Sequence, residues 1–340
     1  MSRTLFPKLS SYQKEWFSVG EKHQLYLEQS GNPNGIPVLY LHGGPGGGCS
    51  KNHRRYFDPS KYRIILFDQR GCGRSKPSPS IEDNTLEYLV SDIEKIRLYL
   101  GIEQWLITGG SWGTTLALAY GIEHADKILG FILRGIFLGT QSEYHWLYNK
   151  DGAAKFYPEY YRKFIAQLSS QEREDPLTAY HHVLSSTNEV AVISASKAWC
   201  LWELQLSTLE HHNIGMAQVD DPHQALCMAK ISSHFFYHRC FIQENYILNH
   251  IKAIENIPAI ILHGRGFHPD WADVVNPLRV GLAEQGWTTL SIQMPVLEKQ
   301  AKYYDYVSLF PNANLRITAA LEHIKDQDIS TVALIAHSCG

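Results

Sequence analysis

The sequence predicts an α/β fold with a mostly parallel, doubly wound sheet, and three observations carry that expectation. Short apolar runs rich in Val, Ile and Leu alternate with segments of helical periodicity, the order expected when crossover helices join parallel strands. One such run, Leu106-Ile107-Thr108, meets Gly109-Gly110-Ser111-Trp112-Gly113 and passes at once into an apolar, helix-forming stretch at 115–120. Another, at 38–41, runs straight into His42-Gly43-Gly44-Pro45-Gly46-Gly47-Gly48. Strand, tight Gly-x-Ser-x-Gly turn and helix in succession are the context of a nucleophile elbow.

Taken in order, residues 15–19 and 24–29 read as two short strands, followed by a turn at 31–35 rich in Gly, Asn and Pro. The glycine loop after 38–41 could cradle a phosphate, but no Lys-Ser/Thr follows it and no G-x-G-x-x-G spacing opens a helix. The better reading is an oxyanion loop, with donors expected from the N–H of Gly43 or Gly44 and of Trp112. Residues 63–67 form the next strand and end in Asp68-Gln69-Arg70-Gly71-Cys72-Gly73-Arg74-Ser75. Its charges could bind substrate, though an ion-pair network bracing the loop is the favoured expectation. Asn84 with Glu87 predicts a capping box, and Leu86, Leu89, Val90, Ile93, Ile96 and Leu100 the buried stripe of the helix behind it. A strand at 127–133 follows the elbow helix. Ser111 then stands at the sheet edge, where the free amides of a helix N-terminus favour developing negative charge.

Beyond that strand, 159–168 and 191–204 have helical character, and Trp146, Trp199 and Trp202 supply large apolar faces. A helical cap over the sheet-top site is the natural role. The expected division is 1–138 for the first part of the core, 139–245 for the cap and 246–340 for core completion. Lys and Arg total 31 against 34 Asp and Glu with no basic stretch, which argues against a nucleic-acid partner. Six cysteines without a C-x-x-C pair read as reduced thiols. Without a signal-type start or a long apolar run, a cytoplasmic protein with no membrane partner is expected. No metal or cofactor is called for.

His-Gly-Gly-Pro-Gly-Gly-Gly, Asp-Gln-Arg-Gly-Cys-Gly-Arg-Ser and Gly-Gly-Ser-Trp-Gly, in this order, resemble the motifs of the proline iminopeptidases, cytosolic α/β-hydrolases that remove an N-terminal proline from peptides. The resemblance continues through Arg134-Gly135-Ile136-Phe137, Ala198-Trp199-Cys200-Leu201-Trp202-Glu203 and His234-Phe235-Phe236, and reaches His263-Gly264-Arg265. It implies an α/β-hydrolase fold and a serine aminopeptidase working through a Ser111 acyl-enzyme on peptides with N-terminal proline. It further implies that Glu203 binds the substrate's free amine and that Phe137 lines the proline pocket. Without it, Glu203 is a solvated carboxylate and Phe137 is core. A second amine-binding glutamate of the family falls at Ser232.

The pattern breaks after residue 265. An elbow serine needs an acid and a histidine base in the order Ser…Asp/Glu…His. Phe267 stands at the family's aspartate position, with Asp270 the nearest carboxylate, and no histidine occurs between Met294 and Lys302. The next is His323, on a segment whose Ile317, Ala320, Leu321 and Ile324 form a helical stripe. Asp270 and His323 are therefore the candidate triad partners, with a structural role for His323 the competing expectation. Residues 263–340 resemble the start of a different, truncated α/β-hydrolase: His263 precedes Ser338 by 75 residues, as His42 precedes Ser111 by 69. Ser338 is followed in this sequence only by Cys339-Gly340, and it is not expected to act as a nucleophile. A crossover helix at 273–284, a strand at 288–293, a helix at 315–325 and a strand at 332–335 are expected to extend or flank the sheet. Two further readings stay open, a non-catalytic or vestigial fusion and a broader esterase.

Overall fold

A computed structural model describes residues 5–207, 220–257 and 259–262. Strands β1 (Ser11–Ser18), β2 (Gln24–Gly31), β3 (Ile36–Leu41) and β4 (Tyr62–Phe67) are followed by helix α1 (Leu86–Tyr99). Strand β5 (Trp105–Ser111), helix α2 (Trp112–Glu123) and strand β6 (Ile128–Ile136) come next. Among the described residues six α-helices then intervene: α3 (Gln141–Tyr148), α4 (Pro158–Phe164), α5 (Pro176–Leu184), α6 (Glu189–Ser207), α7 (Pro222–Tyr237) and α8 (Tyr246–His250). The chain returns to the sheet as β7 (Ala259–Leu262). The strand order is β1-β2-β4-β3-β5-β6-β7. Pairing is antiparallel at β1–β2 and β2–β4 and parallel from β4 through β7. This is the α/β-hydrolase arrangement that the alternation of apolar runs anticipates.

The central strands are buried on both faces, as parallel strands must be. Side-chain alternation sorts them into two clusters. Leu39, Leu41, Ile65 and Phe67 join the large core with the stripe of α1 and most of α2. Val38, Tyr40, Ile64 and Leu66 form a second cluster with Phe57. The intervening helices carry their own aromatic core. Phe164 stacks on Tyr180 with ring centroids 4.5 Å apart and on Trp202 at 5.6 Å, and Trp199 stacks on Tyr148 at 4.7 Å. Trp146 does not belong to it. Its half-exposed ring lies 5.8 Å from that of the still more exposed Phe156.

The helix-start expectation at Asn84 needs correction. Thr85 is the N-cap of α1 and makes no side-chain cap bond. Asn84 is buried, and its amide donates to the carbonyls of Arg70 and Ser80, tying the charged loop to the approach of α1. A true capping box occurs at Thr140, whose hydroxyl accepts from the Glu143 amide while the Glu143 carboxylate accepts from the Thr140 amide. The second-copy elements expected beyond β7, with Asp270, His323 and Ser338, lie outside the described residues. Among the described residues no helix is long and apolar enough to cross a membrane.

Helices α5 and α7 meet through a histidine cluster with a pH-dependent consequence. The His181 ring stacks on Tyr237 at 4.1 Å and lies 6.2 Å from His234. Neither Nδ1 has a hydrogen-bond partner among the described residues. Burial, reinforced by neighbouring His238 and, for His181, His182, pushes both imidazoles down to about 4. The unfolded chain protonates these rings first, near the ordinary value of about 6.5, so stability is complete above that pH. It should fall between about 6.5 and 4 as protons bind the unfolded state preferentially. The melting temperature of the wild type should drop across that window, and a His181→Phe, His234→Phe pair should flatten the drop.

Candidate active site

The elbow forms because glycine is the residue its sterics admit. A Cβ on Gly113 would lie 2.2 Å from the carbonyl oxygen of Leu41, and one on Gly109 would lie 2.4 Å from that of Gly113. Either would force strand and helix apart. Between them Ser111 takes φ 53° and ψ −125°, a sparsely populated conformation for a non-glycine residue. Ser111 ends β5 and is the N-cap of α2, and it is exposed. The Thr114 hydroxyl donates to the Ser111 carbonyl at 2.7 Å and accepts from the Phe137 amide at 3.0 Å, pinning the elbow to the end of β6.

Both expected oxyanion donors flank this serine. Trp112 is the first residue of α2, a position whose N–H finds no acceptor within the helix. Gly43 touches the elbow from the other side: a Cβ there would sit 3.5 Å from the Ser111 Cβ and 3.0 Å from the Gly110 oxygen. The loop is held from beneath by a buried ion network. Asp68 pairs with Arg74 at 2.7 Å and accepts the Cys49 amide at 2.7 Å, and Glu28 takes two bonds from Arg54 at 2.6 Å. Burial alone would raise the Asp68 carboxyl, but the Arg74 guanidinium overrides it and holds the group below its ordinary value. The charges of this loop are braces, as favoured from sequence.

A cavity of about 190 Å³ opens over Ser111. Its walls are Gly44 and Gly47 from the loop, Cys200, Glu203, Leu204 and Ser207 from α6, and Gln224, Ala225 and Met228 from α7. The structure thus brings Glu203 into the cavity that holds Ser111. The Glu203 carboxylate accepts a hydrogen bond from the Tyr148 hydroxyl. Burial pushes this carboxyl up to about 7, with the Tyr148 bond opposing the rise. The residue is partly open to the cavity, while Tyr148, which caps its carboxylate, is fully buried.

Other candidates lie elsewhere. Phe137 is buried, with its ring against Tyr144 and Phe236 at 5.8 and 5.6 Å, and is not among the cavity's lining residues. Ser232 is fully buried in α7, and its hydroxyl turns back to the Met228 carbonyl at 2.6 Å. Asp270 and His323 lie outside the described residues. Sequence reasoning missed Tyr148, 55 residues from Glu203, because nothing local marks it. Cys200, Gln224 and Met228 were equally unmarked as cavity walls.

The elbow, the glycine loop beside it and the sheet topology define an α/β-hydrolase, and a family model described as alpha/beta hydrolase fold matches residues 36–225. A proline iminopeptidase of Xylella fastidiosa is 40% identical over 322 residues, covering 94% of each chain, and one of Neisseria meningitidis is 45% identical over 251 residues, covering 74% of this chain and 80% of its own. This chain belongs to the proline iminopeptidase family. A solved structure assigned as a lipase from Acinetobacter baumannii shares the fold at a TM-score of 0.54 and 15% identity, covering 94% of this chain and 93% of its own. A second family model, described as a protein of unknown function, matches residues 258–314.

Proposed function

We propose that the protein releases N-terminal proline from peptides through an acyl-enzyme on Ser111. The observation that carries this reading is that Ser111, at its elbow, and Glu203, a carboxylate in the cap, line one cavity sized for a small residue. The prolyl nitrogen lies two bonds from the carbonyl carbon under attack, so a group holding that amine positions the carbonyl as well. The Ser111 Oγ attacks the prolyl carbonyl, and its proton passes to a histidine base. The tetrahedral oxyanion forms between the amides of Gly43 and Trp112. Collapse breaks the C–N bond, the shortened peptide leaves with the proton, and water then hydrolyses the prolyl ester to free proline and Ser111. Asp270 and His323 are the residues offered by sequence to complete the triad. Phe137 is assigned no substrate contact.

A comparison of prolyl arylamide with its N-acetyl derivative tests the reading. The free amine should be strongly preferred, and equal cleavage of both would replace the aminopeptidase with a broader esterase. Glu203→Gln should lower kcat/KM about ten- to a hundredfold, the worth of one charge-assisted hydrogen bond. Because Glu203 titrates near about 7, KM for prolyl arylamide should rise as pH falls below that value and the carboxylate becomes neutral. Steady-state kinetics from pH 5.5 to 8.5 should show this limb in the wild type and its loss in Glu203→Gln.

A further inference from the structure

Gln69 makes a set of buried bonds that the ion network does not explain. Its backbone N–H donates to His42 Nε2 at 3.0 Å, its Nε2 donates to the His42 carbonyl at 2.9 Å, and its Oε1 accepts from Trp112 Nε1 at 2.9 Å. All three residues are almost fully buried, at 1% for His42, 2% for Gln69 and 0% for Trp112. The indole can only donate and the carbonyl can only accept, so the orientation of the Gln69 amide has one solution. His42 accepts the Gln69 N–H at Nε2, which leaves its proton on Nδ1, between the Gly43 carbonyl at 2.9 Å, which it bonds, and the Gly48 nitrogen at 3.2 Å. Burial pushes the imidazole below its ordinary value and keeps it in this neutral form.

The two residues that Gln69 grips are the ones that carry the oxyanion donors. The His42 carbonyl and the Gly43 N–H belong to one planar trans peptide and point in opposite directions. A donor anchored on the oxygen therefore fixes where the N–H aims, and polarises it as well. The second donor is the backbone amide of Trp112, whose indole is tied to the other end of the same side chain. We infer that Gln69 is a positioning residue that sets the spacing and aim of the two oxyanion donors, Gly43 N–H and Trp112 N–H. A side chain with one donor and one acceptor at this reach is required. Glutamate lacks the donor, and methionine lacks the donor and offers only a weak sulfur acceptor. The inference rests on Ser111 being the nucleophile.

The test uses the full-length protein, prolyl arylamide, a prolyl boronic acid that forms a tetrahedral adduct on Ser111, and free proline as a ground-state ligand. Gln69→Met should lower kcat about ten- to a hundredfold, toward the cost of losing a whole oxyanion donor, with KM changed less than about twofold. Affinity for the boronic acid should fall in parallel, and affinity for proline should hold. Trp112→Phe removes the indole bond but keeps a ring against Phe235, now 4.8 Å away; it should show a smaller loss of the same kind. The double variant should be no slower than Gln69→Met alone. Should Gln69→Met fail to fold, Trp112→Phe carries the same comparison. Unchanged kcat and boronic-acid affinity in the folded variants overturn the inference, as does a loss confined to KM and proline affinity. A wild type that neither turns over substrate nor binds the boronic acid refutes the nucleophile itself and the inference with it, a pattern visible before any substitution is made.

Discussion

Ser111→Ala should lower kcat for prolyl arylamide about a millionfold, as where the nucleophile of a serine hydrolase is deleted, leaving only the small residual rate that the oxyanion site and binding supply. Stability should barely change. Ser111 is exposed and lines the cavity, and alanine must adopt the same φ of 53° that serine does. Ser111→Gly separates chemistry from strain. It should be equally inactive yet more stable by about 1 kcal/mol or more, because glycine takes up a positive φ without the Cβ penalty. Steady-state rates and urea melts of the three proteins side by side check both halves. Residual turnover near the wild-type rate in Ser111→Ala would mean that another group is acylated. A less stable glycine variant would show that the elbow is not held against a local preference.

The second large effect is structural and sits in the charged loop that follows β4. Arg70 makes two bonds to Asp92, 2.6 and 2.8 Å long, with side-chain exposures of 4% and 0%, and a third at 2.9 Å to the Asp83 carbonyl. Burial raises the Asp92 carboxyl above its ordinary value even with Arg70 opposing. Arg70→Met strands that carboxylate and should cost about 3–5 kcal/mol. With its folded pKa raised further above the unfolded one, Asp92 then contributes stability at low pH that is lost as pH rises, so the variant should recover partly on acidification. Arg70→Met combined with Asp92→Leu removes both charges and should regain most of the loss. Urea midpoints at pH 5 and 8 measure all of this. A loss below about 1 kcal/mol for the single variant would mean that water screens the pair as it does on a surface.

What could be read from the chain was what local sterics and periodicity dictate. Gly109 and Gly113 bracket a turn that admits no Cβ, so the elbow was legible from five residues. The alternating strands at 38–41 and 63–67 placed the sheet, and the glycine loop beside the elbow followed from its position after a strand. Asn84 misled because a local cap and a long-range brace use the same amide. Only the fold brings the Arg70 and Ser80 carbonyls within its reach. Glu203 illustrates the same limit. Its role as an amine ligand came from resemblance, but its raised pKa comes from burial that only the fold creates, with Tyr148, 55 residues away, opposing the rise. Gln69 stood in a motif read for its charges, while its function lies in three bonds to residues 27 and 43 positions away.

The most direct test of Ser111 as the nucleophile is to label the purified protein with a fluorophosphonate and locate the adduct by mass spectrometry of its peptides. A single adduct should form, on the peptide carrying Gly109-Gly110-Ser111-Trp112-Gly113, and prolyl boronic acid present in excess should prevent it. Labelling at Ser338 or another residue, or none at concentrations that modify ordinary serine hydrolases, would contradict the assignment.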